Sequence, residues 1–161
     1  MEASALDGSL IASLGPLLPG LESELAVAGL FFLGTTALVA LCVPGVIIPI
    51  AVSSASLLGW AALPVVTLGA LAGSQLLFLA VRHMLAARAR ARLGARLDSF
   101  ERRFARYGLW YVVALRLCGA PHFAVTAASA LLPLRPGAFA VATLAGFMPV
   151  IAMASAAGSA L

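Results

Sequence analysis

Residues 116–132 read RLCGAPHFAVTAASALL. One arginine and one histidine stand inside an apolar run, around a Gly-Ala-Pro break. Apolar residues flank them on both sides, from Gly108 to Leu115 and from Phe123 to Leu132. A charge at the depth of a bilayer costs about 3 kcal/mol on insertion scales, so it faces a partner or a water-filled cavity. Irregular backbone at that depth survives only when it is buried in protein or lines a cavity. A broken, charged membrane segment is therefore the first site candidate.

Composition agrees that the solvent is lipid. The 161 residues are 63% hydrophobic and 10% charged, with a mean hydropathy of +1.09. Average soluble domains carry roughly 25% charged residues. There is material for one membrane domain and no second folded unit. Cys42 and Cys118 both fall in apolar runs with no CxxC spacing, and they read as small buried hydrophobes, not metal ligands. The +4 net charge is concentrated: eight of the ten arginines lie from Arg82 to Arg106, against only Asp98 and Glu101. The positive-inside rule puts that loop in the cytoplasm.

In chain order, residues 1–24 hold Gly15-Pro16 and Pro19-Gly20 and read as an irregular or short surface segment. A single membrane domain covers 25–161. Leu25 to Val43 approaches the ~20 residues a span needs, and it breaks at Pro44-Gly45. The next apolar arm, to Leu58, is only about half a span at ~1.5 Å per residue. Residues 25–58 thus form a helix-break-helix hairpin that dips in and returns; two tilted or kinked spans are the alternative. Residues 60–81 are the clearest transmembrane helix, with Trp60 at an interface and a Gly69/Gly73 pair suited to close helix packing. Residues 82–106 form a basic amphipathic helix with Leu85, Leu93, Leu97, Phe100 and Phe104 as its apolar stripe. It either lies apolar side down on an anionic leaflet or is a solvated loop that fixes topology. Residues 107–134 are the second broken hairpin, and 138–157 the last span, with Gly146 and Pro149 inside it.

The chain resembles itself. VAL at 39–41 recurs at 113–115, AVSSASLL at 51–58 as AVTAASALL at 124–132, and ALPVVTL at 62–68 as AFAVATL at 138–144. The expected fold is an all-α integral membrane protein of two inverted repeats, each a re-entrant helical hairpin followed by a transmembrane helix. Inverted repeats whose broken helices meet at the midplane are a transporter architecture.

The order and spacing of several short motifs resemble the DedA / VTT-domain (SNARE-associated Golgi protein) membrane family, over about Gly34 to Gly158. They are VPG at 43–45, Leu58-Gly59-Trp60, Gly69, Gly73 and FLAVRHM at 78–84, then Arg116-Leu117, Pro121, Phe123, Phe139, Thr143, Gly146, Pro149 and Gly158. The resemblance implies a lipid transporter of a bacterial cytoplasmic membrane, one that scrambles phospholipids or flips undecaprenyl phosphate. Two features depart from the family. Many bacterial members carry an acidic residue near the first hairpin, but the break here reads LCVPGVIIP, so proton coupling through it is not carried over. Cys118-Gly119 stands where a proline is common, and Thr126-Ala127 where an asparagine is frequent.

Arg116 can bind a lipid phosphate through its planar, always-charged fork, or satisfy carbonyls freed at the Gly119–Pro121 break. His122 can titrate and gate, or simply hydrogen-bond across the hairpin. Arg135 is a snorkelling residue with a headgroup contact in reach, and His83 an interface anchor. Pro44, Gly45, Gly119 and Pro121 form the hairpins; Gly69, Gly73 and Gly146 pack helices. No acid lies in the apolar segments, and neither a GxSxG nor a GxxxxGK motif occurs. The expectation is a non-enzyme without cofactor or metal. Its partners are anionic lipid headgroups and, for so small a chain, further copies of itself, with no nucleic acid. A non-transporting membrane assembly protein is the alternative class.

Overall fold

A computed structural model describes residues 18–160. The described chain is all-helical: α1 (Leu18–Ala40), α2 (Ile47–Leu58), a 3-10 turn (Gly59–Ala61), α3 (Ala62–Ala80), a π turn (Val81–Leu85), α4 (Ala86–Leu93), α5 (Ala95–Tyr107), α6 (Leu109–Leu117), α7 (His122–Leu131) and α8 (Pro136–Gly158). Three helical stretches are long and apolar enough to cross a membrane: Glu22–Ala40, Ile47–Leu93 and Pro136–Gly158. Large side chains such as Leu30 (71% exposed) and Met153 (76% exposed) point outward from them. In water that pattern would be a large penalty; against acyl chains it is the low-energy arrangement.

The first helix starts at Leu18, not at Leu25 as the surface-segment reading of residues 1–24 expects. Pro19 and Gly20 fall in its first turn, where the backbone N–H groups have no intrahelical acceptor and a proline removes nothing. The rest of that segment, residues 1–17, lies outside the described residues.

Helices α1 and α6 end in the same way. Val43 N donates to Leu38 O (3.0 Å) and Cys42 N to Val39 O (3.1 Å). Ala120 N donates to Leu115 O (3.0 Å) and Gly119 N to Arg116 O (3.3 Å). Each is a Schellman closure, which places one residue in the left-handed region. At α6 that residue is Gly119 (φ 71°); at α1 it is Cys42 (φ 59°), a side chain where glycine is usual. A short helix follows each break, α2 or α7, and then a long one, α3 or α8.

Packing interleaves the two halves. Helix α1 lies along α3, and α6 along α8, while α2 packs on α8 and α7 on α3. Glycines set the close crossings. A Cβ built at Gly69 would meet Phe32 O at 2.9 Å, and one at Gly73 would meet Thr36 O at 2.5 Å. A Cβ at Gly158 would overlap Val52 O of α2. Phe78 of α3 stacks on Phe139 of α8 with ring centroids 4.4 Å apart, both fully buried.

The basic segment differs from a single helix lying on a leaflet. It breaks at Gly94 (φ 45°) into α4 and α5. Its stripe is taken up by the protein core: Leu93, Leu97 and Phe100 are buried, with Leu85 and Phe104 packed against the same cluster, which includes Val112 and Val125. The apolar side is therefore used by the fold, and only the arginine side remains to meet water or headgroups. The cysteines also sit differently from the buried reading. Both are free, with Cys42 half-buried and Cys118 exposed.

Candidate functional site

Arg116 occupies the last turn of α6, where a cation complements the carbonyl end of the helix. It is 6% exposed. Its stem lies against Gly146 of α8, where a Cβ would stand 2.7 Å from Arg116 Cβ and 3.0 Å from its Cδ. Only glycine leaves room at 146 for an arginine at 116. The guanidinium then sits among aromatic rings, with Cζ 4.6 Å from the Phe147 centroid and 5.3 Å from that of Phe139. Such cation–π contacts replace part of the lost hydration.

Two hydrogen bonds tie Arg116 to α7. One guanidinium nitrogen contacts His122 Nδ1 at 3.0 Å, and the other donates to Thr126 Oγ1 at 3.2 Å. An arginine has donors only, so Nδ1 accepts and the ring proton sits on Nε2. His122 thus hydrogen-bonds across the hairpin, and its ring stacks on Phe147 at 5.8 Å. None of the arginine's bonds reaches a carbonyl of the break. Arg116 Nε and His122 Nε2 are buried without a hydrogen-bond partner. The described acidic residues, Glu22, Glu24, Asp98 and Glu101, are all exposed. The site is therefore one buried positive charge with two unpaired N–H donors and no counter-charge among the described residues.

A cavity of about 390 Å³ opens beside it. Val43 to Ile48 of the first break, with Pro44 and Gly45, form one wall. Arg116 and Gly119 to His122 of the second break, with Pro121, form the other, and Phe147 and Val150 of α8 contribute the floor. The fold thus brings Arg116, His122 and both hairpin turns to one place. It does not bring Arg135 there: that residue is the exposed N-cap of α8 and is not among the cavity's lining. Gly69 and Gly73 serve the α1–α3 crossing, and Gly146 seats the arginine. His83 is exposed. Among the described residues no cluster of three or more His, Cys, Asp or Glu could hold a metal.

Sequence reading missed three participants. Thr126 lies on the face of α7 that looks back at α6, a pairing visible only once the hairpin folds. Phe147 follows Gly146 and caps the guanidinium. Arg82, which reads as the end of a span, is instead a clamp: its Nε donates to Ala130 O (3.0 Å), a terminal nitrogen donates to Leu132 O (2.8 Å), and its Cζ lies 4.5 Å from the Phe78 centroid. These bonds satisfy carbonyls that the end of α7 leaves free. The π turn at Val81–Leu85 carries the arginine to that place.

Apolar helices long enough to span, two helix breaks and a buried cation beside a cavity define an all-helical integral membrane protein with a polar site among its helices. Residues 25–160 match the family model described as the VTT domain. The chain belongs to this family, the DedA / SNARE-associated Golgi protein family. No curated protein and no solved structure matches it significantly.

Proposed function

We propose that the protein moves a phosphate-bearing lipid, a phospholipid or undecaprenyl phosphate, between the leaflets of a bacterial cytoplasmic membrane. One observation carries this reading. Arg116 is a buried charge without a counter-ion among the described residues, its own Nε and the neighbouring His122 Nε2 both unpaired, at the wall of a cavity built from both helix breaks. A fixed cation with no acid partner is stabilised by an anionic ligand, and a guanidinium fork suits phosphate oxygens. The two hairpins are read as re-entrant and the two halves as inverted repeats, so that the breaks meet near the midplane. The headgroup crosses at Arg116 while the chains stay in the bilayer. No chemical step and no cofactor is involved.

The experiment is reconstitution in liposomes that carry a fluorescent phospholipid, followed by a membrane-impermeant quencher. Signal loss beyond the outer-leaflet half, abolished by Arg116→Gln in a variant that still folds, supports the reading. A plateau at half for both proteins overturns phospholipid scrambling. The same test with a labelled polyprenyl phosphate then separates a selective carrier from a non-transporting assembly protein, which moves neither lipid.

A further inference from the structure

A second cavity, of about 450 Å³, lies between α5 and the α6–α7 hairpin. It arises because α5 packs on α6 and α4 packs on α7, while α5 and α7 barely meet. Its floor is apolar: Phe100, Tyr111, Leu115, Ala124 and Val125. Phe100 and Tyr111 close one end with rings 5.2 Å apart. Its rim is the opposite. Arg96, Ser99 and Arg103 stand along one turn after another of α5, and both arginines are exposed. Ser99 Oγ accepts a bond from Arg102 at 3.1 Å, which draws a third guanidinium to the same edge. The arginine side of α5 is the side that the core leaves free.

We propose that this groove holds one anionic lipid, with its headgroup on Arg96 and Arg103 and a chain along the floor. The volume is within the roughly 300–1,000 Å³ of ligand sites. A soluble anion would use the rim and leave the apolar floor wet, and a neutral lipid would leave the guanidiniums without a partner. An anionic amphiphile answers both. Ala120 lines this groove as well as the Arg116 cavity, so the bound lipid rests directly behind the second break. The site is separate from the transport path and stands whether or not that reading holds.

The test uses the purified full chain in a neutral detergent, with phosphatidylglycerol or phosphatidylcholine titrated and bound lipid counted by native mass spectrometry. One phosphatidylglycerol should be retained in preference to phosphatidylcholine. Arg96→Gln with Arg103→Gln should weaken it roughly 30-fold, from ~1 kcal/mol per arginine at a lipid headgroup and ~1.4 kcal/mol per decade. Arg88→Gln with Arg92→Gln, an equal loss of charge outside the groove, should leave it unchanged. Ala124→Leu, which fills the floor and keeps every charge, should weaken it too, and it decides the matter alone if the double variant does not fold. The proposal is overturned by equal retention of the two lipids, by an equal loss in the Arg88/Arg92 control, or by native retention in Ala124→Leu. Displacement of the lipid by inorganic phosphate at matched concentration also overturns it, since the site would then be one for a soluble anion.

Discussion

Gly146→Ala displaces Arg116 without removing its charge. The new Cβ would stand 2.7 Å from Arg116 Cβ and 3.0 Å from Cδ, whereas carbon atoms in contact prefer about 3.5–4.0 Å. The arginine stem must therefore retreat by roughly 0.8 Å. Its bonds to His122 and Thr126, at 3.0 and 3.2 Å, then lengthen beyond the ~3.2 Å at which such bonds are well made. Overpacking of this kind costs about 1–3 kcal/mol of stability. A misaimed guanidinium would also forfeit the proposed bond to a lipid phosphate, worth about 1.5–3 kcal/mol, so on that reading lipid movement should fall roughly 10- to 150-fold. Gly69→Ala is the matched control. Its Cβ meets Phe32 O at 2.9 Å and Thr35 Cβ at 3.0 Å, a similarly tight seat away from the cavity. It should lose comparable stability and keep its transport rate per folded molecule. The assay is the liposome quenching rate, normalised to protein that remains monodisperse after extraction. If the two variants lose transport equally, or if Gly146→Ala folds and transports normally, the placement of Arg116 is not what limits lipid movement.

Five further substitutions, at four positions, follow from the geometry. Arg82→Gln removes the clamp on Ala130 O and Leu132 O, and should lower the unfolding midpoint in detergent by an amount equivalent to about 2–4 kcal/mol, two charge-assisted bonds less what glutamine restores; an unchanged midpoint refutes the clamp. His122→Asn keeps an acceptor in reach of Arg116, while His122→Phe keeps only the ring against Phe147, so transport should survive in the first and fall at least about tenfold in the second. Cys42→Gly should stabilise the protein by up to about 1 kcal/mol, because glycine adopts φ 59° without the Cβ penalty, and Gly119→Ala at φ 71° should destabilise it by about 1–2 kcal/mol. Thermal unfolding of the pair reads both signs at once.

The membrane class, the two breaks and the burial of Arg116 were legible because they depend on composition and on single residues. A charge inside an apolar run has few physical explanations, and Pro44-Gly45 and Gly119 to Pro121 each stand just past the end of an apolar helix, where a proline cannot continue it. The start of α1 was not legible, because Pro19-Gly20 signals a turn in a helix interior but is harmless in a first turn. The arginine-rich segment is legible as amphipathic, but a stripe of Leu93, Leu97 and Phe100 says that something apolar covers it and not whether that is lipid or the protein's own core. Arg82 and Arg135 show the same limit from the other side. Each flanks an apolar run, and sequence treats both as interfacial, yet Arg82 turns back onto the end of α7 while Arg135 stays exposed at the start of α8. Partners far along the chain decide such cases, and local pattern carries no record of them.

The two helix ends that close in the same way differ in one residue that matters. In each Schellman closure the carbonyl bonded by the left-handed residue belongs to Val39 at α1 and to Arg116 at α6. Each of these residues lies under a glycine of the following long helix, Val39 under Gly73 and Arg116 under Gly146. Both line the same cavity. The scaffold therefore offers two equivalent seats facing one space, and it fills one with a cation and the other with an apolar side chain. Two guanidiniums there would repel each other at low dielectric, and each would add its own insertion cost of about 3 kcal/mol. A single charge opposite an apolar wall instead matches an amphiphile, whose phosphate needs one strong partner while its glycerol or prenyl end needs none. Inside the membrane domain, where every added charge is costly, the asymmetry thus suits the proposed lipid headgroup better than a small inorganic anion.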